Sequence, residues 1–164
     1  EVARGKAARH DPGALEPVEV AAHVGVARQR EPVGVGAPGA DHVGEVQAWN
    51  VDTGQKAWTH VYDKTPNWGS MLVTGGGVVF TGGTNDRKIH AFDASTGKLL
   101  WEAQTSSGIV APPSTFTVNG KQYVAVLAGW GGDPRGMQNA LNRIFPGEYL
   151  PVPEGGSISV FALD

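Results

Sequence analysis

Ala48-Trp49-Asn50-Val51-Asp52-Thr53-Gly54-Gln55-Lys56-Ala57-Trp58 is followed, 43 residues on, by Ala91-Phe92-Asp93-Ala94-Ser95-Thr96-Gly97-Lys98-Leu99-Leu100-Trp101. Each copy runs from an apolar strand through Asp/Asn-x-x-Thr-Gly into a returning strand that carries a tryptophan. Asp, Asn and Thr side chains satisfy turn backbone groups, and glycine supplies a positive φ. A period of this size marks the blades of a β-propeller. Trp58 and Trp101 then read as packing residues that fill the space between neighbouring blades rather than as cofactor stackers.

One complete blade can be drawn outward from the second copy. Its strands are predicted at Ser70–Thr74, Val78–Thr81, Lys88–Phe92 and Leu99–Gln104, with a Gly75-Gly76-Gly77 turn and a loop through Thr84–Arg87. Apolar residues occupy both faces of these strands, as expected for a sheet sandwiched between others. The next blade is predicted to open at Ser114–Val118, turn at Asn119-Gly120 and return along Gln122–Ala128. Asn-Gly is the strongest short hairpin signal. A long excursion over 129–155 follows, with a short helix predicted at Met137–Arg143, and a third strand near Ser157–Ala162.

An up-and-down blade alternates its connections between two ends. The tight Thr-Gly and Gly-rich turns share one end. The other end gathers Lys64–Gly69, Thr84–Arg87, Thr105–Gly108 and the excursion. Irregular loops on a rigid scaffold are where binding sits. Within them, Asn67-Trp68-Gly69, bracketed by Pro66, is the candidate binding triplet. An Asn amide with a backbone N–H can hold a quinone or carboxylate oxygen, and Trp68 can pack beside it. The structural alternative has Trp68 plugging the core and Asn67 capping a turn.

Composition narrows the function classes. The 164 residues carry 13 Lys and Arg against 16 Asp and Glu, a net charge of −3 with no basic stripe. Nucleic acid is therefore not an expected partner. Cysteine is absent, which removes disulfides, thiolate metal sites and covalent haem attachment from this segment. No apolar run reaches membrane-spanning length, and no signal peptide is visible.

Residues 1–42 differ in kind. They lack aromatic residues altogether and consist mainly of Ala, Gly, Pro, Val and Arg with Glu, Asp and His. Such a segment buries little surface, so it is expected to be poorly ordered, and its restricted alphabet is what a GC-rich gene read out of frame would give. His10, His23 and His42 fit no metal spacing and are expected to be solvated. The domain division is thus 1–42 and 43–164, the second carrying the insertion 129–155.

From Gly44 to Asp164 the chain resembles the C-terminal part of pyrroloquinoline-quinone (PQQ)-dependent alcohol dehydrogenases, the methanol and ethanol dehydrogenase group. The resemblance rests on the two repeats, Pro66-Asn67-Trp68-Gly69, Gly75–Phe80 with Gly82-Gly83, and Gly120–Gly132. It implies an all-β, eight-bladed propeller of which these are C-terminal blades, with the quinone near its axis. Asn67, Trp68 and Gly69 would then contribute to the quinone pocket. It further implies a calcium or lanthanide ion as Lewis acid, with ligands outside this segment, and a catalytic base also outside it. Primary alcohols would be oxidised to aldehydes by hydride transfer to the quinone.

The same resemblance implies a periplasmic protein that passes electrons to a separate acceptor such as a cytochrome c, and a segment inactive on its own. Asp86 and Asp133 lie on the loop end but match no catalytic position. The excursion is expected to be a covering loop, and His60 and His90 packed or surface residues. Two alternatives share the repeat: a non-catalytic propeller scaffold of the outer-membrane assembly lipoprotein kind, and a sugar-oxidising quinoprotein.

Overall fold

The computed structural model describes residues 18–24, 41–130, 134–151 and 155–163. They form three antiparallel sheets. In the first, β1 (Val18–Val24), β2 (Gly44–Asn50) and β3 (Lys56–Tyr62) lie in that order. The second is the four-stranded meander β4 (Met71–Val73), β5 (Val78–Thr81), β6 (Lys88–Asp93) and β7 (Leu99–Gln104). The third contains β8 (Ser114–Val118), β9 (Lys121–Ala128) and β10 (Ser157–Leu163), with β9 in the middle. Helix α1 (Pro134–Ile144) sits between β9 and β10 in sequence. It starts three residues before the predicted helix, at a proline, which suits a first helical position.

These are the blades read from the sequence, with small shifts at strand ends. Of residues 1–42, most lie outside the described residues. The exceptions are Asp41, His42 and the backbone of β1, which pairs with β2 from Val18↔Asn50 to Val24↔Gly44. The His42 side chain is only 25% exposed, within 2.7 Å of Asp41 and 3.5 Å of Glu45. It is thus less solvated than its surroundings in the sequence suggested.

The two repeat corners are built alike. Asn50 Oδ1 accepts from the backbone N–H of Asp52 and Thr53, at 3.0 and 2.9 Å. Asp93 Oδ1 accepts from those of Ser95 and Thr96, at 3.0 and 2.8 Å. Gly54 and Gly97 both take left-handed φ, 68° and 70°. Even the register shift recurs, at Ala48/Trp49 and at Ala91/Phe92.

Hydroxyl donation from Ser95 and then Thr96 holds the Asp93 carboxyl at about 2, below its usual 3.8. The folded value is depressed, so the stabilisation is present above the ordinary carboxylate range and fades as pH falls toward 2. Asp93→Asn is therefore expected to keep the corner, as Asn50 does, and to remove that acid sensitivity. Asp93→Ala should lower the melting temperature at neutral pH. Melts between about pH 2 and pH 7 test both.

Core residues lie between the sheets. Phe80, Ile89, Ala91, Ile109, Val124, Val126 and Ala128 fill the space between the second and third. Val46, Ala48 and Trp58 pack with Tyr62 and Met71 between the first and second. Burial on both faces explains the near-continuous apolar runs of β5 and β6.

Trp58 behaves as the repeat predicts. Its indole N–H donates to Ala94 O at 2.9 Å, and a Cβ at Gly97 would lie 2.6 Å from its ring. Trp101 differs. It stays 39% exposed, with its ring edge-on to Phe161 at 5.0 Å. Among the described residues no glycine seats it.

The meander sends its connections alternately to two ends. At one end Ala94 N–H donates to Gly77 O at 2.8 Å, joining the Thr-Gly corner to the Gly-rich hairpin. At the other, Trp68 N–H donates to Gly83 O, Thr105 N–H to Arg87 O, and Gly129 N–H to Gly108 O. All four irregular loops thus meet at the predicted functional end.

Candidate functional site

The loop between β3 and β4 is shaped by Pro66, which fixes its own φ. It is held from beneath by glycines. Gly69 lies against the Gly82 carbonyl so closely that a Cβ would overlap it, and Gly83 presses on Gly69 N in return. Ile109 closes the floor under Gly82. Two strands of backbone meet here with no side chain between them.

This close approach buries Asn67, which is 1% exposed. Its Nδ2 donates to Thr81 Oγ1 at 3.3 Å, and its Oδ1 is buried without a partner. A buried acceptor left unpaired costs about 1–3 kcal/mol, so Asn67 Oδ1 is open to a hydrogen-bond donor. Thr81's hydroxyl can donate as well as accept, so the amide can present either its oxygen or its NH2 group outward. The Trp68 backbone N–H, by contrast, is taken by Gly83 O at 3.2 Å. That donor is part of the scaffold and is not the backbone N–H open to a ligand.

Trp68 meets a second indole. Its ring stands edge-on to Trp130, with centroids 5.8 Å apart and planes at 74°. Trp130 is 3% exposed and lies on Gly108, where a Cβ would enter its ring. Its Nε1 is buried with no partner. The neighbouring Ser107 Oγ is also buried and unpartnered.

The structure therefore brings Asn67, Trp68 and Gly69 into one constellation and adds Trp130. Sequence reasoning assigned Trp130 to a covering excursion. The signal available was its flanking glycines, Gly129 and Gly131-Gly132, which allow close approach.

Other candidates sit elsewhere. Asp86 accepts from Thr84 Oγ1 and Lys88 N–H, which occupies it structurally. Asp133 lies outside the described residues. His60, Tyr62, His90 and Phe92 form one aromatic cluster, with His60 4.7 Å from Phe92 and Tyr62 5.8 Å from His90. Burial lowers the pKa of both histidines; for His90 the Asp86 and Glu102 carboxylates act in opposition. Burial also pushes the Tyr62 hydroxyl well up. This cluster packs two sheets together. Among the described residues no three His, Asp or Glu side chains gather in a way that could hold a metal ion. Among them, too, no helix is long and apolar enough to cross a membrane.

The chain is similar to several known proteins. Residues 60–124 match the family described as PQQ, glucose/ethanol/alcohol dehydrogenase, beta-propeller domain. Quinoprotein alcohol dehydrogenase PedE of Pseudomonas putida is 42% identical over 123 residues, covering 75% of this chain and 18% of that protein. The 1-butanol dehydrogenase (cytochrome c) of Thauera butanivorans is 39% identical over 119 residues, covering 73% and 17%. A europium-containing methanol dehydrogenase superposes with a TM-score of 0.62 at 32% identity, covering 76% of this chain and 24% of that one. The chain thus spans under a fifth of the length of these curated relatives. With antiparallel sheets, a 43-residue repeat and these likenesses together, the chain belongs to the PQQ β-propeller family, whose domain quinoprotein alcohol dehydrogenases carry.

Proposed function

We propose that this chain forms one wall of the quinone pocket in a PQQ-dependent dehydrogenase that oxidises primary alcohols to aldehydes. The observation that carries the reading is the unpaired, buried Asn67 Oδ1 beside the Trp68–Trp130 pair. A planar, polar cofactor suits this arrangement. Indole rings pack against its flat body, while Asn67 and the free Trp130 Nε1 meet polar atoms at its rim. Gly69, lacking a side chain, lets the loop settle on the Gly82 carbonyl and so sets the height of Asn67 and Trp68. When bound, the quinone supplies hydride acceptance, assisted by a calcium or lanthanide ion acting as Lewis acid.

What these residues do is hold and orient. They provide neither the base nor the metal ligands, which the reading assigns to other blades. Electrons leave to a separate carrier such as a cytochrome c, a partner supported by the name of the Thauera relative. The setting that fits this chemistry is the periplasm.

The test is reconstitution of the full-length protein bearing this segment with PQQ and calcium or a light lanthanide. Dye reduction with a primary alcohol is expected. Failure to bind quinone would favour a non-catalytic propeller scaffold and end the proposal. In the same protein, Asn67→Ala is expected to weaken quinone retention about tenfold, the value of one buried hydrogen bond. Spectrophotometric titration reads this directly, and unchanged occupancy removes Asn67 from the pocket.

A further inference from the structure

A buried polar relay runs from the long excursion into the loop that carries Asn67. Gln138, on α1, is 3% exposed. Its Oε1 accepts from Asn85 Nδ2 at 3.0 Å, and its Nε2 donates to Asn142 Oδ1 at 3.2 Å. Asn85, equally buried, donates its backbone N–H to Thr65 Oγ1 at 2.8 Å. The Thr65 hydroxyl lies 2.9 Å from Pro66 O and 3.2 Å from Asn85 Oδ1. Its single hydrogen serves one of these at a time. Thr65 stands two residues before Asn67, so the relay ends at the binding triplet.

A second, weaker tie runs outside it. Lys64 Nζ pairs with Glu148 Oε2 at 2.9 Å, both partly exposed. Tyr149 lies against the same loops: burial first, then the Glu148 and Asp86 carboxylates, push its hydroxyl up to about 12. Exposed ion pairs contribute little. Breaking the buried relay on one side instead strands an amide donor away from water, which is costly. The relay is therefore the stronger hold. The triplet needs one, because Gly69, Gly82 and Gly83 give it only backbone contact beneath.

We propose that Gln138 is a positioning residue: through Asn85 and Thr65 it keeps Pro66-Asn67-Trp68 in place, making α1 a clamp on the site. The functional meaning of the clamp rests on reading Asn67 and Trp68 as pocket residues. The clamp itself concerns only the loop.

The test uses the full-length protein and two variants. Gln138→Met keeps the length of the side chain but cannot accept from Asn85. Gln138→Glu keeps an acceptor. Hydrogen exchange is followed at the Trp68 and Asn85 amides, with Val79 and Phe92 in the adjacent sheet as references. Gln138→Met is expected to speed exchange at Trp68 and Asn85 roughly ten- to a hundredfold, leaving the references unchanged. Gln138→Glu should restore protection to within about threefold of the parent. Unchanged exchange at Trp68 and Asn85 in Gln138→Met, or an equal rise at the references, overturns the clamp. Quinone affinity, titrated in parallel, separates the two ideas. Faster exchange with unaltered affinity leaves the clamp standing and removes Asn67 and Trp68 from the pocket.

Discussion

Trp58→Ala is expected to cost about 3–5 kcal/mol of stability, the range for deleting a large buried aromatic. The ring is 9% exposed and wedged against Val46, Ala48, Tyr62 and Met71. It rests on Gly97, and its N–H satisfies the Ala94 carbonyl of the next blade. Alanine removes the wedge, opens a cavity between two sheets and leaves that carbonyl without its indole donor. Trp58→Phe restores most of the volume but not the donor, so it should cost only about 1 kcal/mol beyond any packing mismatch. The internal control is Trp101, the same position in the second repeat. At 39% exposed, with one edge contact to Phe161, its alanine variant should lose well under half as much. Urea denaturation followed by circular dichroism compares them. Equal losses at the two tryptophans would show that the wedge is not what joins the blades.

That contrast marks how far the sequence could be read. The corners were legible because Asn50 and Asp93 solve one local problem with one local solution, down to the bulge beside each. Strand positions followed from the same periodicity. The loop end followed from chain parity, and within it Asn67 and Trp68 were singled out by the flanking Pro66 and Gly69 and by the family resemblance. What could not be read lies between elements remote in sequence. Identical repeat positions gave no sign that Trp58 would be capped and Trp101 left half-open, because the cap comes from the following blade. The Trp68–Trp130 pair and the Thr65–Asn85–Gln138 relay join the excursion to loops far upstream, and no period runs through the excursion to announce them. The strand β1 lies in a segment whose composition argued against structure, and its pairing with β2 is a backbone fact that composition does not encode.

Gly83→Ala is expected to damage the site more than Asn67→Ala does, although Gly83 offers no side chain to any ligand. Two independent costs combine there. The backbone φ is +94°, a conformation that L-residues rarely adopt. A Cβ would also overlap Gly69 N and lie 2.8 Å from the Trp68 carbonyl carbon. Backbone atoms cannot swing aside as the end of a flexible side chain can, so the 66–69 loop must move as a unit. Overpacking of this kind costs about 1–3 kcal/mol, and the unfavourable φ adds about 1–2 kcal/mol. Moving the loop breaks the Trp68 N–H to Gly83 O bond and displaces both Asn67 and the ring facing Trp130. Quinone retention should therefore fall about a hundredfold or more, against about tenfold for Asn67→Ala. Gly75→Ala is the matched control. It lies in the hairpin at the opposite end, where an added Cβ meets nothing within 4 Å, and it should leave retention unchanged. If Gly83→Ala binds quinone as tightly as the parent, the glycine floor does not set the position of Asn67 and Trp68, and the pocket must be supported from the helix side alone.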